Sequence, residues 1–169
     1  MIVVADTSVL THFARANLFF LLQAMFGSIW IVPKVLKELE DAGDETLGHH
    51  QTLEAIEEGW IQTQEITDLQ THQRLMLDHP DAVDTKVIVL AIEKKADLVL
   101  TDDTQLKILA EREGLTVIRS PLLLVQAKQS GLLEVVKPVL DSLIKTGFYL
   151  KKDGDVYQRI LELSGESNK

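Results

Sequence analysis

The chain has 169 residues, 46% hydrophobic and 25% charged, with a formal charge of −9 and no cysteine, which excludes disulfides and thiolate metal sites and suits one reduced, cytosolic domain. Lys and Arg number 17 against 26 Asp and Glu, dispersed apart from the pairs Lys94-Lys95 and Lys151-Lys152, which excludes a broad phosphate-neutralising grip on nucleic acid. That balance still allows a site where metal cations stand between protein carboxylates and a phosphate.

MIVVA reads as a short buried strand, an apolar run with β-branched residues. SVLTHFARA and LFFLLQAMF read as helices joined near Asn17, and SIWIV as a second buried strand. Pro33 suits the first turn of a helix over PKVLKELEDA. TLGHHQTLEAIEEG predicts a helix closed by Gly59, WIQTQEI a weaker strand and DLQTHQRLML a helix. In DAVDTKVIVLAIEKKA the apolar positions 83, 87, 90 and 91 have amphipathic helical spacing. ADLVLTDD is an apolar strand ending in acids, DTQLKILAEREG a helix with a glycine stop and LTVIRS a strand. PLLLVQAKQSG, LLEVVKPVLDSLIKTG and DVYQRILELSG all look helical. Alternating strands and helices predict an α/β fold on a parallel sheet. No repeat or linker divides the chain, so one domain over 1–169 is expected. No apolar run has membrane-span length and the strand-like start lacks a basic leader region, so neither a membrane span nor a signal peptide is expected.

In open parallel sheets, functional groups gather at the carboxyl ends of the strands. Asp6 ends the first strand, and Asp102 and Asp103 end ADLVLT. Glu38 lies about a turn into the helix after SIWIV, and Asp84 in the first turn of the helix leading to ADLVLT. Acids brought together this way repel one another, which raises their pKa values or demands a cation. Oxygen ligands without Cys or a well-spaced His pair suit Mg²⁺ or Mn²⁺, and phosphodiester hydrolysis is the reaction such a site serves. Each acid also has an ordinary structural reading. Asp6 suits an N-cap, Glu38 an i, i+4 pair with Lys34, Asp81 and Asp84 the helix dipole, and Asp102 or Asp103 a cap on the following helix. The order and placement of the four positions carry more weight than any one of them.

The stretches VVADTSVL, IWIVPKVLKELE and VDTKVIVLAIEKKADLVLTDDTQLKILAEREGLTV, with the tail SPLLLVQAKQSGLLEVVKPVLDSLIKTGFYL and VYQRILELSGE, resemble the PIN-domain family. More particularly, they resemble its group with an extended helical C-terminus, labelled DUF3368. The resemblance implies a three-layer α/β/α sandwich with a central, mainly parallel sheet, residues 121–169 forming the helical extension. It implies a Mg²⁺ or Mn²⁺ site of carboxylates, with Asp6 the first acid and Ser8 the supporting hydroxyl two residues on. Glu38 is the second acid and Asp84 the third, where the group more often has Glu after Gly and this chain has Val83-Asp84. The fourth falls in the TDD turn, on Asp103 with Asp102 beside it. Many members are ribonucleases, including toxins of toxin–antitoxin pairs, so RNA as substrate and a small antitoxin protein as partner are what the resemblance implies.

Other reactions fit less well. A haloacid-dehalogenase-type phosphatase needs an acid where Ser8 stands, a receiver domain needs an acidic pair after the first strand, and a dinucleotide fold needs glycines that ADTSVL lacks. A catalytically inactive interaction module on the same fold is left open by the residues. His49, His50, His72 and His79 read as surface histidines, and Trp30 and Trp60 as core residues at strand positions. LFFLLQAMF is apolar nearly all round and must be buried, in its own core or in a homodimer; a dimer is expected. Lys34, Lys37, Lys86 and Lys107, near the acids in sequence, are the cations expected to meet a substrate.

Overall fold

A computed structural model describes residues 1–43 and 48–166. Strands β1 (Val3–Ala5), β2 (Ile29–Ile31), β3 (Ile61–Thr63), β4 (Leu98–Leu100) and β5 (Val117–Ile118) alternate with helices. The helices are α1 (Thr7–Arg15), α2 (Phe19–Phe26), α3 (Pro33–Asp41), α4 (His50–Glu57), α5 (Leu69–Asp78), α6 (Ala82–Lys94), α7 (Thr104–Arg112), α8 (Ser120–Gln129), α9 (Lys137–Lys145) and α10 (Asp155–Leu163). The helix expected from Thr46 thus begins outside the described residues, as do 167–169 at the end of the expected domain.

All strand pairs are parallel, in the order β3-β2-β1-β4-β5. β1 lies at the centre and is wholly buried, which is why MIVVA is a continuous apolar run rather than an alternating one. Its register sets Val3 beside Leu98, Val4 beside Val99 and Ala5 beside Leu100. Asp6 N–H extends this ladder to the Leu100 carbonyl at 2.9 Å. The chain steps outward from β1 to β3 and then returns to place β4 on the other side of β1. The carboxyl ends of β1 and β4 therefore flank a topological switch point, where open α/β sheets bind ligands.

Helices α5, α6 and α7 pack on one another, while α1 gathers α2, α3, α8 and α9. With the sheet between them these make the α/β sandwich. Asn17 takes φ +58° at the corner between α1 and α2, a conformation asparagine tolerates better than most residues. The apolar α2 buries Phe19, Leu21 and Leu22 within the chain's own core and leaves Phe20 exposed, so intramolecular packing accounts for most of its apolar surface. Trp60 is buried just before β3, whereas Trp30 is only half-buried, with Lys94 Nζ 3.4 Å above its ring.

Two expected elements are shorter in the structure. Of WIQTQEI only Ile61–Thr63 form the edge strand β3, with the Trp60 carbonyl and Gln64 N–H also bonded to β2. Residues 132–136 are not helical; α9 starts at Lys137 with Pro138 in its first turn, where the missing N–H costs no helical hydrogen bond. Glu166 closes this extension. Its Oε1 accepts from Val136 N at 2.6 Å and from Lys128 Nζ at 2.6 Å, and its Oε2 from Lys137 N at 2.8 Å. No described helix is long and apolar enough to cross a membrane.

Candidate functional site

Asp6 stands where β1 hands over to α1, and it is the helix N-cap, with extended backbone (φ −90°, ψ 164°). Its carboxylate is 4% exposed. Ser8 N donates to Oδ2 at 3.3 Å, Ser8 Oγ at 2.7 Å and Thr101 Oγ1 at 2.9 Å. Burial nevertheless pushes its pKa above the ordinary carboxylate value, against the lowering by these donors. Capping by Asp6 and a role at the rim therefore coexist in one side chain.

Glu38, half-buried on α3, accepts from Thr7 Oγ1 at 2.5 Å. The expected ion pair with Lys34 does not form; Lys34 only lowers the Glu38 pKa through its field. Burial raises that pKa most, and the negative charges of Asp6 and Asp81 raise it further. Asp84 lies in the first turn of α6, behind the N-cap Asp81, whose Oδ1 accepts from Val83 N and Asp84 N at 2.8 and 3.0 Å. Its Oδ2 is 2.7 Å from His79 Nε2, both side chains being 18% exposed. Burial drives the Asp84 pKa up to about 6, with Asp6, Asp81 and Asp103 adding to the rise and His79 opposing it.

The two acids of the TDD turn part company. Asp103 is exposed, caps α7 by accepting from Leu106 N at 2.8 Å, and donates its own N–H to Thr101 Oγ1 at 3.0 Å. Asp102 turns inward. Its Oδ1 accepts from Ser120 N at 2.8 Å, and its Oδ2 from Ser120 Oγ at 2.5 Å, with His12 Nδ1 2.6 Å from the same oxygen. Its carbonyl accepts from Arg119 Nη2 at 2.5 Å and its N–H donates to Ser8 Oγ at 2.9 Å. The Asp102 carboxylate is thus spent on holding α8 and α1 to the end of β4. Asp103 is the acid of the turn that shares a field with Asp84.

Thr101 joins the halves, since its hydroxyl serves both Asp6 and Asp103 N. Thr101 and Thr7 escaped the sequence reading as parts of the site, and His79 and Asp81 were read without any link to it. Thr101 was visible within TDD but overshadowed by its acids, and Asp81, read as an acid suiting the helix dipole, is the N-cap of α6. His79 and His72 are half-buried and partnered rather than free at the surface: His79 reaches Asp84, and His72 Nδ1 lies 3.1 Å from Thr85 Oγ1. No periodicity places His79, because it lies before Pro80, outside α6. Of the expected cations, Lys37 pairs with Asp41 and Glu40, Lys86 with Glu65 and Lys107 with Glu111.

Among the described residues no three Asp, Glu or His side chains stand close enough to hold one ion. The chemistry of the donor set nonetheless fits a hard divalent cation: the rim acids present oxygen, and the charge of Asp6 helps hold Glu38 and Asp84 above their ordinary pKa values. A positive ion would relieve that repulsion.

A parallel α/β sandwich with acids following the two strands that flank the switch point defines the class. A family model described as PIN domain (DUF3368) matches residues 2–166, and the chain belongs to that family. PIN domains are typically nucleases and generally use divalent metal ions. No curated protein matches the chain.

Proposed function

We propose that this protein is a ribonuclease that hydrolyses RNA phosphodiester bonds with the help of Mg²⁺ or Mn²⁺. The observation that carries the reading is the coupling among acids from separate elements. Burial raises Asp84 on α6 to about 6, and Asp6 after β1 and Asp103 after β4 add to that rise. Asp6, Asp84 and Asp103 would hold the ion, with Glu38 at the edge of the cluster. Bound there, a divalent ion supplies an activated water and offsets charge on the phosphoryl group. The chain's own residues set up the site: Ser8 and Thr101 fix the Asp6 carboxylate, Thr7 orients Glu38, and His79 orients Asp84.

Asp6→Asn tests the proposal. The variant keeps a good N-cap and its fold, and Mn²⁺-dependent cleavage of single-stranded RNA should fall by at least about a hundredfold, the scale expected for loss of a charge-stabilising group. Full cleavage by the variant overturns it. If the enzyme serves as a toxin, its expression arrests growth and that of the variant does not.

One observation favours a second reading, an inactive interaction module: His79 and Thr7 already engage two of the acids, and among the described residues no three converge. Calorimetry without Mn²⁺ binding, together with no cleavage by the wild-type chain, would establish it.

A further inference from the structure

Beside Asp103 a cleft of about 360 Å³ opens between α1, the TDD turn and the segment after α9, with His12, Arg119, Phe148 and Tyr149 in its walls. Past Arg119 and Tyr149 a second cleft of about 390 Å³ follows, more apolar, lined by Leu122, Val156 and Ile160 and edged by Lys107. The two clefts share Arg119, Phe148 and Tyr149, and so adjoin as a groove between an acid of the rim and the C-terminal extension.

The groove's neck is built by the turn after α9. Gly147 takes φ +121°, which favours glycine. Phe148 then points inward, buried and edge-on to the His12 ring at 5.2 Å. Tyr149 points outward and is 84% exposed. A tyrosine held out at the junction of two clefts presents an open aromatic face. Arg119 lines the same two clefts and is anchored through Nη2 to the Asp102 carbonyl, with its Nε buried away from the groove. The cation is thus fixed in place where the two clefts meet.

We propose that this groove is the track along which single-stranded RNA reaches the carboxylates, a base stacking on Tyr149 and the phosphate backbone meeting Arg119. The inference rests on the ribonuclease reading and adds the substrate's path to it. A cationic wall combined with an exposed aromatic is how proteins hold single strands without reading sequence. A duplex is excluded because its bases have no free face to offer. At a net charge of −9 the molecule as a whole repels RNA, so attraction has to come from such a local feature.

The test is anisotropy of a short fluorescein-labelled single-stranded RNA with the full chain in EDTA, alongside Mn²⁺-dependent cleavage. Tyr149→Ala should weaken binding about tenfold and raise KM by a similar factor, while Tyr149→Trp restores both. Because Tyr149 is exposed, its loss leaves the fold in place, checked by circular dichroism. Unchanged RNA binding by Tyr149→Ala overturns the track, and if wild-type cleavage persists the ribonuclease reading survives it. If Tyr149→Ala alters only self-association in sedimentation, the groove pairs copies of the chain and the RNA track is likewise overturned. A wild-type chain that neither binds nor cleaves RNA removes both readings.

Discussion

Asp84 shows how a single residue records the character of the site. Its native pKa of about 6 stands above the ordinary 3.8, so the folded protein takes up this proton before the unfolded chain does. Between those values the native state binds more protons, and stability rises as pH falls through the window. Above about pH 6 the carboxylate is ionised in both states, and its burial and like-charged neighbours count in full against folding. The metal-free protein should therefore melt at a higher temperature near pH 5 than near pH 7.5. The difference from this residue is about 1–2 kcal/mol once solvent screening of a half-buried group is allowed for. Thermal melts of Asp84→Asn should lose most of that pH dependence, and an unchanged profile would assign it elsewhere. Asp6 and Glu38 are raised too and push in the same direction.

At the scale of elements, the TDD turn divides its labour. Asp102 ties the start of α8 to the end of β4 through Ser120 and reaches α1 through His12. Asp102→Ala leaves buried donors without an acceptor and should cost about 2–4 kcal/mol, read in denaturant unfolding. Asp103→Asn keeps a good cap on α7, so stability should hold within about 0.5 kcal/mol, while metal-dependent cleavage falls. Equal destabilisation by both changes would contradict this division. The sequence identifies the turn but not which acid faces which way. In an extended segment neighbouring side chains point to opposite sides, and only the position of α8 decides which side is the interior.

At the scale of the molecule, the extension is part of the core. Leu123, Leu124, Leu140, Leu143 and Leu161 are buried, and α8 and α9 pack on α1, the helix that Asp6 caps. Removing everything after Arg119 would expose this face of α1 and take away Ser120, the partner of Asp102. The truncated chain should fail to give a cooperative melt by circular dichroism. A stable, cooperative fragment would show that the extension is an independent layer.

The sequence alone determined the α/β class and most of the elements in their order, and it marked the candidate acids at strand ends and in the first two turns of helices. These follow from local rules: apolar runs for buried parallel strands, proline and glycine at helix ends, and acids as caps. It did not determine the orientation of Asp102 against Asp103, the hydroxyl of Thr101 shared between two strand ends, or the partnership of His79 with Asp84. It also gave no reason to look at Tyr149, which neither periodicity nor a charge pattern marks. Each of these depends on groups far apart in the chain meeting at the switch point, or on a turn whose direction is set by what it packs against. Local propensity specifies the pieces; the return of β4 to the side of β1 is what brings the carboxylates into one field.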